Sequence, residues 1–142
     1  MGHAALSGAT NVVISSDPQE ARRIQDDIEH LLKSKQFNDK EIFSIRLALE
    51  EALVNAIKHG NRCDQNKKVH ISYRVLPERF DIAITDEGPG FDPSEVPDPT
   101  AVENLERPCG RGLMLMRHYM SEVTYSRSGN SVWMTKIRNG DG

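Results

Sequence analysis

Hydrophobic and polar positions along this chain follow two periods, and the switches between them mark its elements. Residues 11–16, NVVISS, crowd β-branched side chains into a short run that reads as a strand. Ser16 or Asp17 then caps a helix whose first helical residue is Pro18, with Glu20 near its start. Ala21, Ile24, Ile28, Leu31 and Leu32 recur at helical spacing, and this helix is expected to end near Lys35. A second helix starts from Asn38 or Asp39. Its apolar stripe runs through Ile42, Ile45, Leu49, Ala52, Leu53, Ala56 and Ile57, and Gly60 stands at the expected C-cap. The period then drops to two. Val69, Ile71, Tyr73 and Val75 share one face of a strand, Phe80, Ile82 and Ile84 share one face of the next, and Pro77 and Glu78 join the two as a tight hairpin.

The pattern breaks over residues 92–109. Four of the seven prolines fall there (Pro93, Pro97, Pro99 and Pro108), with the acids Asp92, Glu95, Asp98, Glu103 and Glu106. Each proline removes a backbone donor and clashes with helical neighbours, which excludes a long helix or a central strand. A loop of this length inside a domain reads as a lid or a binding loop. Helical spacing resumes at Leu113, Met116 and Met120, and two strands close the chain around a turn at Ser128 to Asn130. The order βααββ, loop, αββ predicts an α+β fold: a two-layer sandwich with a mixed, mostly antiparallel sheet and the helices on one face.

The chain has 142 residues, enough for one domain with one core. At 37% hydrophobic and 27% charged it has the composition of a globular protein. A net charge of -3 gives no basic footprint, so a partner protein or a small ligand is expected and a nucleic acid is not. Cys63 and Cys109 have no CxxC spacing; one disulfide between them is an open alternative, and two free thiols of a reducing cytoplasm are the expectation. No apolar run approaches the length of a membrane span. Residues 1–10 lack the regions of a signal peptide, and Leu6 breaks the myristoylation pattern, so they read as a loose N-terminus of a cytoplasmic protein.

Three constellations carry candidate chemistry. In FDIAITDEGPGF, strand alternation points Asp86 to the same side as Phe80, Ile82 and Ile84. A carboxylate there is costly unless a donor satisfies it, and Gly88 and Gly90 clear space beyond it. Two readings stand: a turn in which Asp86 bonds loop amides, or an acceptor for a flat donor-bearing ligand such as the exocyclic amine of adenine. In EEALVNAIKHGN, Glu51 and Asn55 are four apart and share a helix face. Asn55 is either a polar edge or a hard oxygen ligand for Mg²⁺, with Glu51 one turn away as a proton acceptor. Glu50 and Lys58 read as ordinary solvated positions. In CGRGLMLM, Gly110, Arg111 and Gly112 open a helix and offer free N–H groups and a positive charge to a phosphate. Met114 and Met116 read as core.

Together and in this order, the three segments resemble the Bergerat-fold ATP-binding domain of the GHKL superfamily. EEALVNAIKHGN is similar to its N-box, DEGPGF to its first glycine box and GRGLMLM to its second, with the proline-rich segment in the place of the ATP lid. The resemblance covers roughly residues 42–137. Size and the N-terminal strand and helix look like the anti-sigma-factor serine kinases of that superfamily. The resemblance implies that Asp86 binds the adenine amine, that Gly88 and Gly90 shape its pocket, that Asn55 holds Mg²⁺ and that Glu51 is the general base. It also places Gly110, Arg111 and Gly112 on the phosphates, His59 and Gly60 near the nucleotide, and Ser131 near the adenine. The implied partners are a sigma factor and a STAS-domain anti-anti-sigma protein whose serine is phosphorylated, and such kinases are often homodimers. Two other functions fit the sequence: a non-catalytic ATP-dependent switch, and an interaction domain without nucleotide.

Overall fold

A computed structural model describes residues 8–88, 115–126 and 130–138. The expected lid at 92–109, with Gly90, Cys109, Gly110, Arg111 and Gly112, lies outside them. The elements run β1 (Thr10–Ser15), α1 (Pro18–Ser34), α2 (Asp39–Val54), a π-helical turn (Asn55–Gly60), β2 (Lys68–Val75), β3 (Arg79–Asp86), β4 (Glu122–Tyr125) and β5 (Ser131–Ile137). Residues 115–119, ahead of β4, are helical and form α3.

Local chemistry explains where the helices start. The Gln19 N–H donates to Asp17 Oδ1 at 2.9 Å, with Pro18 in the first turn. Asn38 and Glu41 form a reciprocal capping box: the Glu41 N–H donates to Asn38 Oδ1 at 2.7 Å and the Asn38 N–H to Glu41 Oε1 at 2.9 Å. Such a cap stabilises a helix by about 1 kcal/mol.

The sheet has five strands in the order β1-β2-β3-β5-β4, and every described pairing is antiparallel. β3 lies at its centre. Its register sets Ile84 between Ile71 and Val132, and Ile82 between Tyr73 and Met134. These residues and Phe80 build the core with Ile28 and Leu32 of α1, Ile45, Leu49 and Leu53 of α2, and Met116 of α3. The expected α+β architecture holds: two layers, with the helices covering one face.

The opposite face carries a feature that period-two reasoning does not foresee. Asp81, an outward position of β3, is only 1% exposed. Arg74 Nε and Arg79 Nε donate to its Oδ2 at 2.8 and 3.0 Å, and the Thr135 hydroxyl donates to Oδ1 at 2.7 Å. The buried charge persists because these donors replace its hydration.

At the end of β5, Arg138 closes the structure. Its guanidinium stacks over Phe37 at 4.2 Å and donates to the carbonyl oxygens of Lys35, Gln36 and Pro77. It thereby joins β5 to the α1–α2 connection and the β2–β3 hairpin.

One expectation is corrected. Sequence spacing gives a single α-helix from Asn38 to a C-cap at Gly60, but α-helical winding stops at Val54 and the chain continues as a π turn. Gly60 is not in the left-handed conformation of such a cap. The left-handed residues come later, at Arg62 (φ 53°) and Cys63 (φ 60°), where the chain reverses. The physical reason is burial: the wider winding lets Asn61 enter the interior, as the site shows.

Candidate functional site

The site forms where the C-terminal end of β3 meets the end of the second helix. β3 delivers Asp86 to the helix-facing side, 9% exposed, after the buried Phe80, Ile82 and Ile84. Asp86 Oδ1 accepts a hydrogen bond from the Gly88 N–H at 2.8 Å. Burial pushes the carboxyl above its ordinary range, against the opposing pull of the Gly88 amide and the more distant charge of Lys67. The bond to a loop amide that the turn reading expects is present, and the carboxylate that makes it is also a desolvated acceptor.

The second helix comes directly against it. A Cβ added to Gly60 would overlap the Asp86 carboxylate, and one added to Gly88 would overlap the Gly60 carbonyl. Gly60 makes room for the Asp86 side chain and Gly88 for the Gly60 backbone, so the glycines serve close approach rather than unusual dihedral angles. Glu51, Asn55 and His59 are half-buried on the segment that ends there, four residues apart in turn. Glu51 lies in the last turn of the α-helical part, which ends at Val54, and Asn55 opens the π turn; such turns are frequent at functional sites. Among the described residues no three His, Cys, Asp or Glu side chains converge on a metal position. A magnesium ion held by Asn55 would complete its shell with water and phosphate oxygens, as that ion commonly does.

Ser131 sits elsewhere than beside the carboxylate. It pairs with Thr85, not Asp86, and its hydroxyl shares a 2.7 Å hydrogen bond with the Thr85 hydroxyl. Strand alternation turns this pair to the face opposite Asp86. Asn130 is the residue next to Asp86: its carbonyl accepts from the Asp86 N–H at 2.9 Å, and its Nδ2 donates to the Asp86 carbonyl at 3.1 Å.

Sequence reasoning missed Asn61, the last letter of the N-box segment. It is 0% exposed. Its backbone N–H closes the π turn on the Ala56 carbonyl at 2.8 Å. In an α-helix Gly60 would stand one turn above Ala56; the π turn, one residue wider, sets Asn61 there, on the buried side. The available signal was an asparagine directly behind a helix-ending glycine, which also reads as a turn residue.

Comparison with known proteins follows the same outline. The histidine kinase-like ATPase domain matches residues 14–136. The serine-protein kinase RsbW of Bacillus subtilis is 36% identical over 110 residues, covering 71% of this chain and 68% of that protein. The serine/threonine-protein kinase BtrW of Bordetella bronchiseptica is 28% identical over 102 residues, covering 70% and 72%. A crystal structure of RsbU and RsbW domains from Mycobacterium tuberculosis superposes with a TM-score of 0.62 over 92% of this chain and 32% of that one, at 14% identity, which bears on the fold alone.

Proposed function

The chain belongs to the histidine kinase-like ATPase domain family, and on that premise we propose that it is an ATP-binding protein serine kinase of the anti-sigma type. The acceptor is a serine of a STAS-domain anti-anti-sigma partner, and the regulated protein is a sigma factor. Likeness to RsbW and BtrW supports the kinase class. The observation that carries the nucleotide reading is the Asp86 carboxylate: desolvated at the end of a core strand, with the Gly88 amide as its own hydrogen-bond donor. Such a group suits the exocyclic amine of adenine, which returns a hydrogen bond that burial has taken away.

In this proposal bound Mg-ATP supplies the transferable phosphoryl group and the charge neutralisation around it. Asp86 orients the adenine, and Gly60 and Gly88 keep the wall beside it free of side chains. Asn55 offers its amide oxygen to the ion. Glu51 takes the proton of the partner's serine hydroxyl as that oxygen bonds to the γ-phosphorus and the bond to ADP breaks. Gly110, Arg111 and Gly112 hold the phosphates, and residues 92–109 cover the nucleotide within a single domain. Ser131, turned to the other face, is left out of the direct contacts.

The test combines Mg-ATP calorimetry with a phosphotransfer assay on a purified anti-anti-sigma protein. The wild type is expected to bind and to transfer; Glu51→Ala is expected to bind with unchanged affinity and to lose transfer. Normal transfer by Glu51→Ala removes Glu51 as the base. Binding by the wild type without transfer to any serine favours the non-catalytic switch.

A further inference from the structure

Asn61 and Asn130 come from segments far apart in the sequence, one following the second helix and the other preceding β5, yet both side chains reach the peptide unit between Asp86 and Glu87. Asn61 Oδ1 accepts from the Glu87 N–H at 2.8 Å. Asn130 Nδ2 donates to the Asp86 carbonyl at 3.1 Å. The N–H and C=O of one peptide plane are thus each held by a side-chain amide. That plane adjoins the Cα of Asp86, so its orientation decides where the Gly88 N–H meets the carboxylate.

The chemistry of Asn61 admits one orientation. Its Nδ2 donates to the Ser16 hydroxyl at 3.0 Å and to the Lys68 carbonyl at 2.9 Å. The Lys68 carbonyl only accepts and the Glu87 N–H only donates, so a flipped amide would oppose like groups at both. Ser16 is fixed in turn, its hydroxyl donating to the Lys67 carbonyl at 2.8 Å. The amide therefore binds the β1–α1 junction, the start of β2 and the first glycine box to the end of the N-box segment. Alanine offers none of these bonds, and aspartate would set an oxygen against the Lys68 carbonyl. The π turn is what brings this side chain inward.

We propose that Asn61 and Asn130 are positioning residues for the nucleotide: they clamp the Asp86–Glu87 peptide and so fix the carboxylate that receives the adenine, without touching the ligand themselves. The inference rests on the nucleotide reading of Asp86 and deepens it. The clamp acts on binding rather than on phosphoryl transfer. Its loss raises the Kd and KM for ATP and leaves kcat at saturating ATP nearly unchanged.

The test measures the Mg-ATP Kd by calorimetry, per folded molecule, for wild type, Asn61→Ala, Asn130→Ala and Asn38→Ala, with the melting temperature of each. Asn38→Ala removes the helix cap distant from the site and controls for lost stability alone. The clamp variants are expected to raise Kd tenfold or more. Asn38→Ala is expected to melt earlier with Kd unchanged. Amide hydrogen exchange supplies a second readout on the wild type: saturating Mg-ATP slows exchange at Glu87. Asn130 precedes β5 and is only half-buried, so its variant decides the question should Asn61→Ala fail to fold. Wild-type binding with both folded clamp variants within twofold of it, or with Glu87 exchange indifferent to ATP, overturns the clamp and leaves the nucleotide reading standing. Absence of wild-type binding overturns both.

Discussion

Asp86→Asn separates charge from shape at the centre of the site. The replacement is isosteric and keeps an acceptor oxygen for the Gly88 N–H, so the turn is preserved. What disappears is the negative charge. A hydrogen bond to a charged acceptor is worth about 1.5–3 kcal/mol, so the Kd for Mg-ATP should rise roughly 10- to 100-fold at about 1.4 kcal/mol per decade. Without nucleotide the same change should stabilise the protein. The side chain is 9% exposed, and burial raises its pKa from the ordinary 3.8. Between that ordinary value and the raised folded one, the folded state binds more protons than the unfolded state. Wild-type stability therefore falls as pH rises through this window and levels off above it. Asn carries no such penalty, so the variant should be more stable than wild type near pH 7 by about 1 kcal/mol. Urea titrations of nucleotide-free protein from pH 4 to 7 read the stability, and calorimetry reads the affinity. An unchanged Kd would refute the role of the carboxylate as ligand. A variant less stable than wild type at pH 7 would refute the argument that the buried charge is a burden.

Gly88→Ala sets a methyl group into the Gly60 carbonyl; it should lower stability by about 1–3 kcal/mol and weaken ATP binding, seen by thermal melting and calorimetry. Asp81→Asn disrupts the arginine pair on the outer sheet face and should cost about 3 kcal/mol in a urea titration, with the ATP Kd unchanged because that face is turned away from Asp86. His70 Nε2 lies 2.8 Å from Glu87 Oε2, and the His70 and Lys68 bonds hold the Glu87 pKa below its ordinary 4.5. Those bonds favour the folded state above the ordinary value and lose that effect as pH falls through the depressed one. An NMR titration of His70→Ala should show the Glu87 carboxyl moving back up.

Much of this arrangement was legible because its causes are local. Period-two alternation carried Asp86 to the core side of β3, and the cap residues Asp17 and Asn38 announced both helices. The hairpin at Pro77 and Glu78 followed from a two-residue gap between alternating runs. What stayed hidden depends on partners distant in sequence. Asn61 finds its acceptors on Ser16 and Lys68 and its donor on Glu87, and nothing in the spacing of its own segment reveals them. The π turn is hidden for the same reason, since an α-helix and a π turn share one apolar pattern until burial of a particular side chain chooses between them. Asp81 reads as an outward, solvated acid until Arg74, Arg79 and Thr135 are seen to close over it. The displacement of Ser131 from Asp86 is a matter of register: a single position along β5 turns a side chain to the other face.

The direction of β5 has a practical consequence. The strand begins beside Thr85, at the Asp86 end of the sheet, and finishes beside Arg79 at the hairpin end, where Arg138 bolts it down. Seven residue steps of β3 separate Arg79 from Asp86, about 23 Å of extended chain. A fluorophore, a surface tether or a fused reporter attached just past Arg138 would therefore stand a sheet's length from the candidate site and leave it unobstructed. The same label at the start of β5 would crowd Asn130 and read the site directly.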